Sequence, residues 1–415
     1  MATDILSPVD TLTNLRSRLA AAEPSHTEQA QVRYPLTLRV LDYLMTVADT
    51  TQRPTEWGRA LAAAEVLLGI EADDETLAAM LIVGTLPRKD WDIPWLTDTF
   101  GVDMAGLVGG VLRVGRIDNV SAGSDAGPGV ETLRKMLLAL ADDVRVVLIL
   151  LADRVTYLRS ITRADEAVRR AAAQLTRDLY APLANRLGVF AIKWELEDFA
   201  FRYLQPDLYK RIATLLDGKR GEREAYIQRL VALLKSELTK AGIQGEIAGR
   251  PKHIWSIHRK MQSKNLPFER LYDVRAVRVL VESVADCYAV LALVHALWTP
   301  IEGEFDDYIA QPKANNYRSL HTAVRGPEGK TLEVQIRTHE MHQTSENGVA
   351  AHWRYKEGGG HKTSADRKFE AKIAWLRQVL AWRHELVDQG GFSAEVKQNL
   401  FDDTLYVFTP QGKVI

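Results

Sequence analysis

The fold of this chain is decided by Leu271-Tyr272-Asp273-Val274-Arg275-Ala276-Val277-Arg278-Val279, an apolar stretch that contains an acid and ends in the alternating run Val277-Arg278-Val279. A period of two residues is typical of a strand with one buried and one polar face. A second such stretch is Leu332-Glu333-Val334-Gln335-Ile336-Arg337, and Thr322 to Arg325 forms a short β-rich segment before it. Val284 to Leu297 has helical spacing, and this predicted helix lies between the first strand and the segment Thr322 to Arg325. Strands that alternate with helices predict a mixed α/β domain.

The first 240 residues have a different pattern, because their apolar residues recur at helical spacing. This spacing predicts helices over Leu36 to Val47, Arg59 to Leu68, Leu77 to Leu86, Glu131 to Leu151, Ala167 to Leu187, Lys193 to Leu204 and Arg223 to Ala241. A loop is expected at Ser121 to Gly129 from its glycine and serine content. Beyond the α/β region we expect helix over Ala365 to Val387 and a strand from Thr404.

Composition sets the bounds on the function. With 415 residues the chain is long enough for two or three domains, and its net charge of -1 gives no general attraction to nucleic acid. The single cysteine, Cys287, excludes an internal disulfide and fits a reducing, cytoplasmic location. No leader sequence or membrane-spanning run is evident, so we expect no membrane partner.

Two carboxylates and several cations predict a phosphate-handling site. Asp273 and Glu333 could hold magnesium, and the basic opening Gly249 to His253 could hold phosphates. A cluster from Pro312 to Thr322 adds asparagines, an aromatic ring and further cations. Read alone, each motif could equally be a strand-edge acid, a solvated sheet face or a plain loop. The acidic run Glu302 to Tyr308 is typical of a solvated loop, although it could instead bind a metal or shape an acceptor site.

Ordered matches along the chain resemble the RelA/SpoT homologue family of (p)ppGpp enzymes. They lie at Gly249 to Met261, Leu271 to Arg278, Gly303 to Ala310, Tyr317 to Thr322, Leu332 to Thr338 and Gly348 to Gly358, with connecting helices at Tyr180 to Gly188 and Lys193 to Asp198. The resemblance implies pyrophosphoryl transfer from ATP to the 3′-hydroxyl of GDP or GTP, which releases AMP. It also implies a nucleotidyltransferase-like synthetase domain that uses magnesium.

The resemblance assigns roles to individual residues. Asp273 and Glu333 would be the catalytic acids and magnesium ligands. The residues expected to bind ATP are Arg250, Lys252, Ser256, Lys260 and Arg278. The residues expected to bind GDP or GTP are Lys313, Asn315, Tyr317, His321, Gln335 and Arg337. Glu304, Asp306 and Asp307 match the acidic motif of synthetase-only members, which implies a preference for GDP over GTP. Asn316 departs from the family's usual glycine.

The helical half resembles the family's HD-type hydrolase domain without its metal ligands. The family's His-Asp pair falls on Val83 and Gly84, its acidic pair falls on Pro87 and Arg88, and Asp153 survives. Of ten histidines, His26 alone precedes residue 250, so a histidine-based metal site is not expected there. We expect Asp153 to be a capping or ion-paired acid.

These features predict an α+β protein, an all-α pseudo-hydrolase domain followed by a mixed α/β synthetase domain. The expected segments are 1–170 for the helical domain, 171–240 for connecting helices, 241–380 for the synthetase and 381–415 for a linker and the first strand of a TGS domain. A C-terminal half absent from this chain is expected to reach the ribosome and uncharged tRNA. Two alternatives are a generic nucleotidyltransferase and a non-enzymatic ribosome-binding regulator.

Overall fold

The computed structural model describes residues 8–21, 34–47, 54–86, 92–114, 143–217, 220–250, 253–265, 275–313 and 317–347. They form two compact units. One contains the described residues up to Arg163 together with Asp178–Tyr180, and the other contains Ala164–Arg177 and the described residues from Ala181 onward. The expected loop at 121–129, the helix from 365 and the strand from 404 lie outside the described residues.

The first unit is helical, as predicted. Its helices are α1 (Pro8–Ala21), α2 (Pro35–Val47), α3 (Pro54–Gly69), α4 (Asp74–Thr85), α5 (Ile93–Phe100), α6 (Val102–Val114) and α7 (Val144–Ser160). Aspartates cap α4 and α7: Asp73 accepts from the Thr76 amide at 2.7 Å, and Asp143 accepts from the Arg145 amide at 2.9 Å. The buried Arg145 side chain pairs with both aspartates and so ties the two helix starts together.

The second unit combines helices with a mixed sheet. Its helices are α8 (Glu166–Leu175), α9 (Ala181–Arg186), α10 (Phe190–Leu204), α11 (Pro206–Asp217), α12 (Arg220–Lys240), α13 (Ile254–Lys264), α14 (Val284–Leu297) and α15 (His339–Asn347). Its strands are β1 (Gly245–Gly249), β2 (Ala276–Val281), β3 (Thr299–Asp307), β4 (Leu320–Arg325) and β5 (Thr331–Thr338). The strand order is β1-β2-β5-β4-β3, in which β2 and β5 are parallel and the other neighbours antiparallel.

Most of the large apolar residues of β2, β4 and β5 lie on one face of this sheet. Val277 and Val279 of β2 join Val334 and Ile336 of β5 in a buried cluster. Residues of α12 and α14 complete the cluster, among them Leu230, Leu234, Val290 and Val294. Because side chains alternate along a strand, the charged residues of β2 and β5 lie on the opposite face. That face is where a site can form.

Three local predictions need correction. The predicted helix Ala167 to Leu187 divides into α8, a π-helical stretch at Thr176–Tyr180, and α9. The acidic run expected to be a loop lies largely in strand β3, whose pairing shifts between Pro300 and Phe305, and Gly303 there has a φ of 74°. The edge strand β1 was not predicted, since edge strands pair on one side and need little apolar alternation.

None of the helices that the structure describes has both the length and the apolar character needed to cross a membrane.

Candidate active site

One row of side chains crosses the polar face of the sheet. Parallel pairing sets Arg278 of β2 beside Gln335 of β5. Antiparallel pairing then sets Gln335 beside His321 of β4, and His321 beside Asp306 of β3. Directly paired residues share a face, with Cβ atoms about 4.5–5.5 Å apart. The register therefore gathers four of the predicted site residues from four different strands.

Glu333 lies next to this row, two residues before Gln335 on β5. Its Oε1 accepts a 2.8 Å hydrogen bond from Gln335 Nε2, and His321 Nδ1 lies 3.8 Å from the same oxygen. Its amide donates to the Arg275 carbonyl at 2.9 Å, which joins the start of β5 to the residue before β2. The carboxylate is 15% exposed. Glu333 is thus a fixed carboxylate at the edge of the polar face, as a base or a magnesium ligand must be.

His321 is neutral at pH 7 and orients Tyr317. Burial lowers the pKa of His321 to about 4, against the opposing effect of the Glu333 carboxylate. The Tyr317 hydroxyl and His321 Nε2 are 2.8 Å apart, and the two rings are perpendicular. A neutral imidazole has one donor and one acceptor nitrogen, so it can bond the tyrosine without adding positive charge.

Lys313 lies over two aromatic rings of the same cluster. Its ammonium is 4.1 Å from the Tyr308 ring centroid and 5.5 Å from that of Tyr317. Its backbone amide donates to the Tyr317 carbonyl at 3.2 Å. The cation is therefore held beside the ring that was predicted to stack on guanine.

Three of the residues predicted to bind ATP, Arg250, Ser256 and Lys260, lie just after β1 and on α13. Arg250 follows β1, and its amide donates to the Ala276 carbonyl at 2.8 Å. Ser256 and Lys260 are one turn apart on α13 and are both half-buried. The Lys260 ammonium lies 3.9 Å from Glu304 Oε2, so the acidic motif of β3 reaches a residue predicted to bind the donor nucleotide.

Arg337 has a different position from the one its predicted role requires. It is 1% exposed, and its guanidinium contacts Ser345, His342 and Glu346 on α15. Glu346 also lies 3.2 Å from Nη2 of Arg278, so one carboxylate connects the two arginines. Burial and the charge of Arg337 lower the pKa of Arg278 to about 10, which leaves it charged at neutral pH. We expect Arg337 to act on the site through α15 and not by touching a nucleotide.

Asp307 has a largely local role. Its Oδ1 accepts from the amides of Ile309 and Ala310 at 3.0 and 2.8 Å, and its Oδ2 accepts from the Tyr288 hydroxyl at 3.0 Å. These bonds fix the turn after β3. Of the predicted acidic motif, Asp306 and Glu304 therefore remain the residues that face the site.

Several predicted site residues cannot be placed. Asp273, Lys252 and Asn315 lie outside the described residues. Within the described part of the chain, no group of three or more His, Cys, Asp or Glu side chains is arranged to hold a metal ion. The donor type nevertheless fits magnesium, because Glu333 offers carboxylate oxygen and its amide partner Arg275 lies two residues after Asp273.

In the helical unit, two of the positions that the family resemblance assigns to metal ligands, Gly84 and Asp153, are described by the structure. Asp153 of α7 binds Arg59 of α3 through two hydrogen bonds of 2.8 and 2.6 Å. Gly84 of α4 packs so closely that an added Cβ would lie 2.5 Å from the Cβ of Ala60. The expectation that Asp153 is ion-paired is therefore confirmed.

Sequence reasoning missed two side chains of α10 that touch the site residues. Phe190 packs edge-on against Tyr317, with ring centroids 5.7 Å apart. The Arg250 guanidinium lies 5.4 Å from the Trp194 ring centroid. Trp194 lies on the predicted helix Lys193 to Leu204, whereas Phe190 precedes its predicted start. Their spacing of four residues is a signal that could have extended this helix to Phe190.

The described residues thus define a protein of two units, one helical and one built on a mixed five-stranded sheet that carries this polar row. Two family models match the chain: an HD domain at residues 41–190 and a region found in RelA / SpoT proteins at residues 249–360. The chain belongs to the RelA/SpoT family.

Relatives show the extent of the similarity. GTP pyrophosphokinase of Escherichia coli strain K12 is 46% identical over 363 residues, which cover 86% of this chain and 48% of that protein. A probable guanosine-3′,5′-bis(diphosphate) 3′-pyrophosphohydrolase of Synechocystis is 42% identical, over 86% of this chain and 46% of that protein. The chain thus spans about half the length of the curated relatives it matches.

A solved structure also matches the chain. It is small alarmone synthetase 1 from Bacillus subtilis bound to its product pppGpp, 24% identical, covering 39% of this chain and 93% of that one with a TM-score of 0.27.

Proposed function

We propose that this chain transfers a pyrophosphoryl group from ATP to the 3′-hydroxyl of GDP or GTP, which yields (p)ppGpp and AMP. The observation that carries the proposal is the cross-strand row Arg278-Gln335-His321-Asp306 with Glu333 beside it. The name of the Escherichia coli relative, GTP pyrophosphokinase, agrees with this chemistry.

The geometry suits deprotonation of an acceptor hydroxyl. A ribose hydroxyl is a poor nucleophile, and the Glu333 carboxylate can take its proton as the bond to phosphorus forms. Gln335 holds that carboxylate in place through its 2.8 Å hydrogen bond. His321 Nδ1 lies 3.8 Å from this carboxylate, and burial lowers the pKa of His321 to about 4, so the imidazole itself adds no positive charge there at neutral pH.

The substrates are assigned to two sides of the site. Arg250 and Arg278 flank the adenine, and Lys252, Ser256 and Lys260 lie along the ATP phosphates. Tyr317 stacks on guanine, and Lys313, Asn315 and His321 surround the acceptor's phosphates and ribose. The face of Tyr317 gives a stacking surface, which typically contributes about 1–3 kcal/mol per base.

Magnesium would be held by Asp273 and Glu333, and when bound it supplies positive charge that offsets the phosphates. Glu304 and Asp306 add negative charge near the acceptor, which favours GDP over GTP.

The helical unit is proposed to lack (p)ppGpp hydrolysis. Val83 and Gly84 have no ligating side chain, and Asp153 is engaged by Arg59. The Synechocystis relative carries a hydrolase name, so similarity along the chain does not decide this point. A cytoplasmic location, and the ribosome and uncharged tRNA as partners, are further predictions of the family resemblance.

One incubation tests the proposal and its alternatives. Purified chain, magnesium, GDP and ATP labelled in the γ-phosphate should yield AMP and a guanosine nucleotide that carries the label. Release of labelled pyrophosphate with nucleotidyl transfer would instead support a generic nucleotidyltransferase. Absence of any turnover across GDP and GTP would favour the non-enzymatic regulator.

A further inference from the structure

Helix α10 carries a line of side chains that reaches both halves of the proposed active site. Phe190, Trp194 and Asp198 are spaced four residues apart, so they lie on one face of the helix. The rings of Phe190 and Trp194 are 5.8 Å apart with an interplanar angle of 30°. None of the three is among the residues to which the family resemblance gives a role.

The first residue of this line contacts the acceptor side. Phe190 is 8% exposed, and its ring meets that of Tyr317 edge-on at 5.7 Å and 80°. Such a contact contributes about 0.5–1.5 kcal/mol beyond the burial of area. With His321 bonded to its hydroxyl and Phe190 against its ring, Tyr317 is fixed from two directions.

The second residue contacts the donor side. The Trp194 ring stacks on His253 at 5.1 Å and 26°, and the Arg250 guanidinium lies 5.4 Å from its centroid. Indole is the best aromatic partner for a guanidinium, and the interaction contributes about 0.5–2 kcal/mol depending on desolvation. The indole therefore restricts Arg250, whose backbone is already bound to β2.

The third residue fixes the start of the donor-side helix. Asp198 Oδ1 accepts from the Trp255 amide at 2.8 Å, and its Oδ2 lies 3.5 Å from Nδ1 of His253. A carboxylate at this place satisfies an unpaired amide of the first turn of α13. The register of α10 against α13 is thereby set, and the Trp194 ring is held level with Arg250.

We propose that Phe190 and Trp194 are positioning residues that align the two nucleotides, Phe190 through Tyr317 for the acceptor and Trp194 through Arg250 for the donor. The inference rests on the proposed function and adds to it a helix outside the sheet that sets the relative placement of the substrates. Because each ring acts on one side, the two residues differ in which substrate they affect.

The test is a steady-state kinetic comparison of substitutions on α10. Trp194→Ala should raise the KM for ATP about 3- to 20-fold and change the KM for GDP by less than about twofold. Phe190→Ala should do the reverse, raising the KM for GDP about 2- to 10-fold. Trp194→Phe keeps an aromatic ring, so its KM for ATP should be much closer to that of the unaltered chain than the KM of Trp194→Ala.

A matched control is available on the same helix. Phe199 packs on Tyr203, with ring centroids 5.9 Å apart, and Phe199→Ala should leave both KM values unchanged. If Trp194→Ala fails to fold, Trp194→Leu keeps the apolar volume without a ring and must show the same selective rise in the KM for ATP.

The outcomes separate this inference from the proposed function. Absence of AMP and (p)ppGpp formation by the unaltered chain would contradict the proposed function. Normal product formation with unchanged KM values in both α10 variants, or with equal changes for both substrates, would overturn the positioning role alone.

Discussion

In the helical unit the surviving Asp153 is bound on both oxygens by Arg59, whereas in the sheet unit Glu333 shares a polar face with Gln335 and His321. Both acids lie at positions where the family resemblance predicts functional carboxylates. Only Glu333 is surrounded by residues that could bind a substrate. A carboxylate at such a position therefore indicates a site only where the neighbouring residues leave space for a ligand and carry charges that could bind it.

The largest expected effect comes from replacing the Glu333 carboxylate by an amide, with the same replacement at Asp153 as the matched control. Glu333→Gln keeps the size of the side chain but cannot accept the hydroxyl proton, so synthesis should fall at least ~100-fold. Asp153→Asn should leave kcat within about twofold, because its partner is Arg59 of the helical unit. AMP formation measured at saturating ATP and GDP checks both.

Two results would contradict the contrast drawn between Glu333 and Asp153. If Glu333→Gln keeps near-native turnover, Glu333 is an ordinary polar residue of the sheet. A large loss of turnover in Asp153→Asn would instead show that the helical unit takes part in synthesis.

The sequence predicted the centre of each unit better than its periphery. Strands β2 and β5 were found because Val277, Val279, Val334 and Ile336 alternate with polar residues and form the buried face. The edge strands were missed because β3 carries four acids and a positive-φ glycine, which are typical of loops. The local pattern of apolar and polar residues predicts which face of a helix or strand is buried. Whether a segment pairs at the edge of a sheet depends instead on its tertiary contacts.

The candidate site shows the same division. Alternation along β5 correctly placed Glu333 and Gln335 on the polar face. It could not show that Arg337 is buried, because the burial depends on how α15, which follows β5 directly, folds back over the Arg337 side chain. Nor could it show that Phe190 and Trp194 contact site residues, since these contacts join α10 to residues more than fifty positions away.

A smaller effect tests the closed packing of the helical unit. Gly84→Ala would place a Cβ 2.5 Å from that of Ala60, and such overpacking typically lowers the free energy of unfolding by about 1–3 kcal/mol. Gly58, on the neighbouring α3, has open space around an added Cβ. Gly58→Ala should therefore raise the free energy of unfolding by about 0.5–1 kcal/mol. Urea denaturation of both variants measures the difference.

Equal changes in the free energy of unfolding for Gly84→Ala and Gly58→Ala would contradict the packing argument. They would mean that α3 and α4 separate readily enough to admit a side chain. In that case restoring an aspartate at Gly84 would become a reasonable way to rebuild a metal site.

The smallest expected effect is a pH dependence confined to the sheet unit. Burial lowers the pKa of His321 to about 4, and burial together with the charge of Arg337 lowers that of His342 to about 4. A histidine in the unfolded chain has a pKa of about 6.5. As the pH falls, the unfolded chain therefore takes up protons at these histidines before the folded chain does. This stabilising contribution is complete above about pH 6.5 and is lost progressively between about pH 6.5 and 4.

Hydrogen exchange at pH 7.0 and 5.5, corrected for intrinsic rates, can resolve the two units within the intact chain. Peptides from β4 and β5 should lose about 1 kcal/mol of protection per buried histidine, whereas α4 and α7 contain no histidine and should lose little. His342→Gln should reduce the loss in β5, since glutamine keeps an acceptor for Arg337 but does not titrate. Uniform loss in both units would show that carboxylates, and not these histidines, govern the acid response.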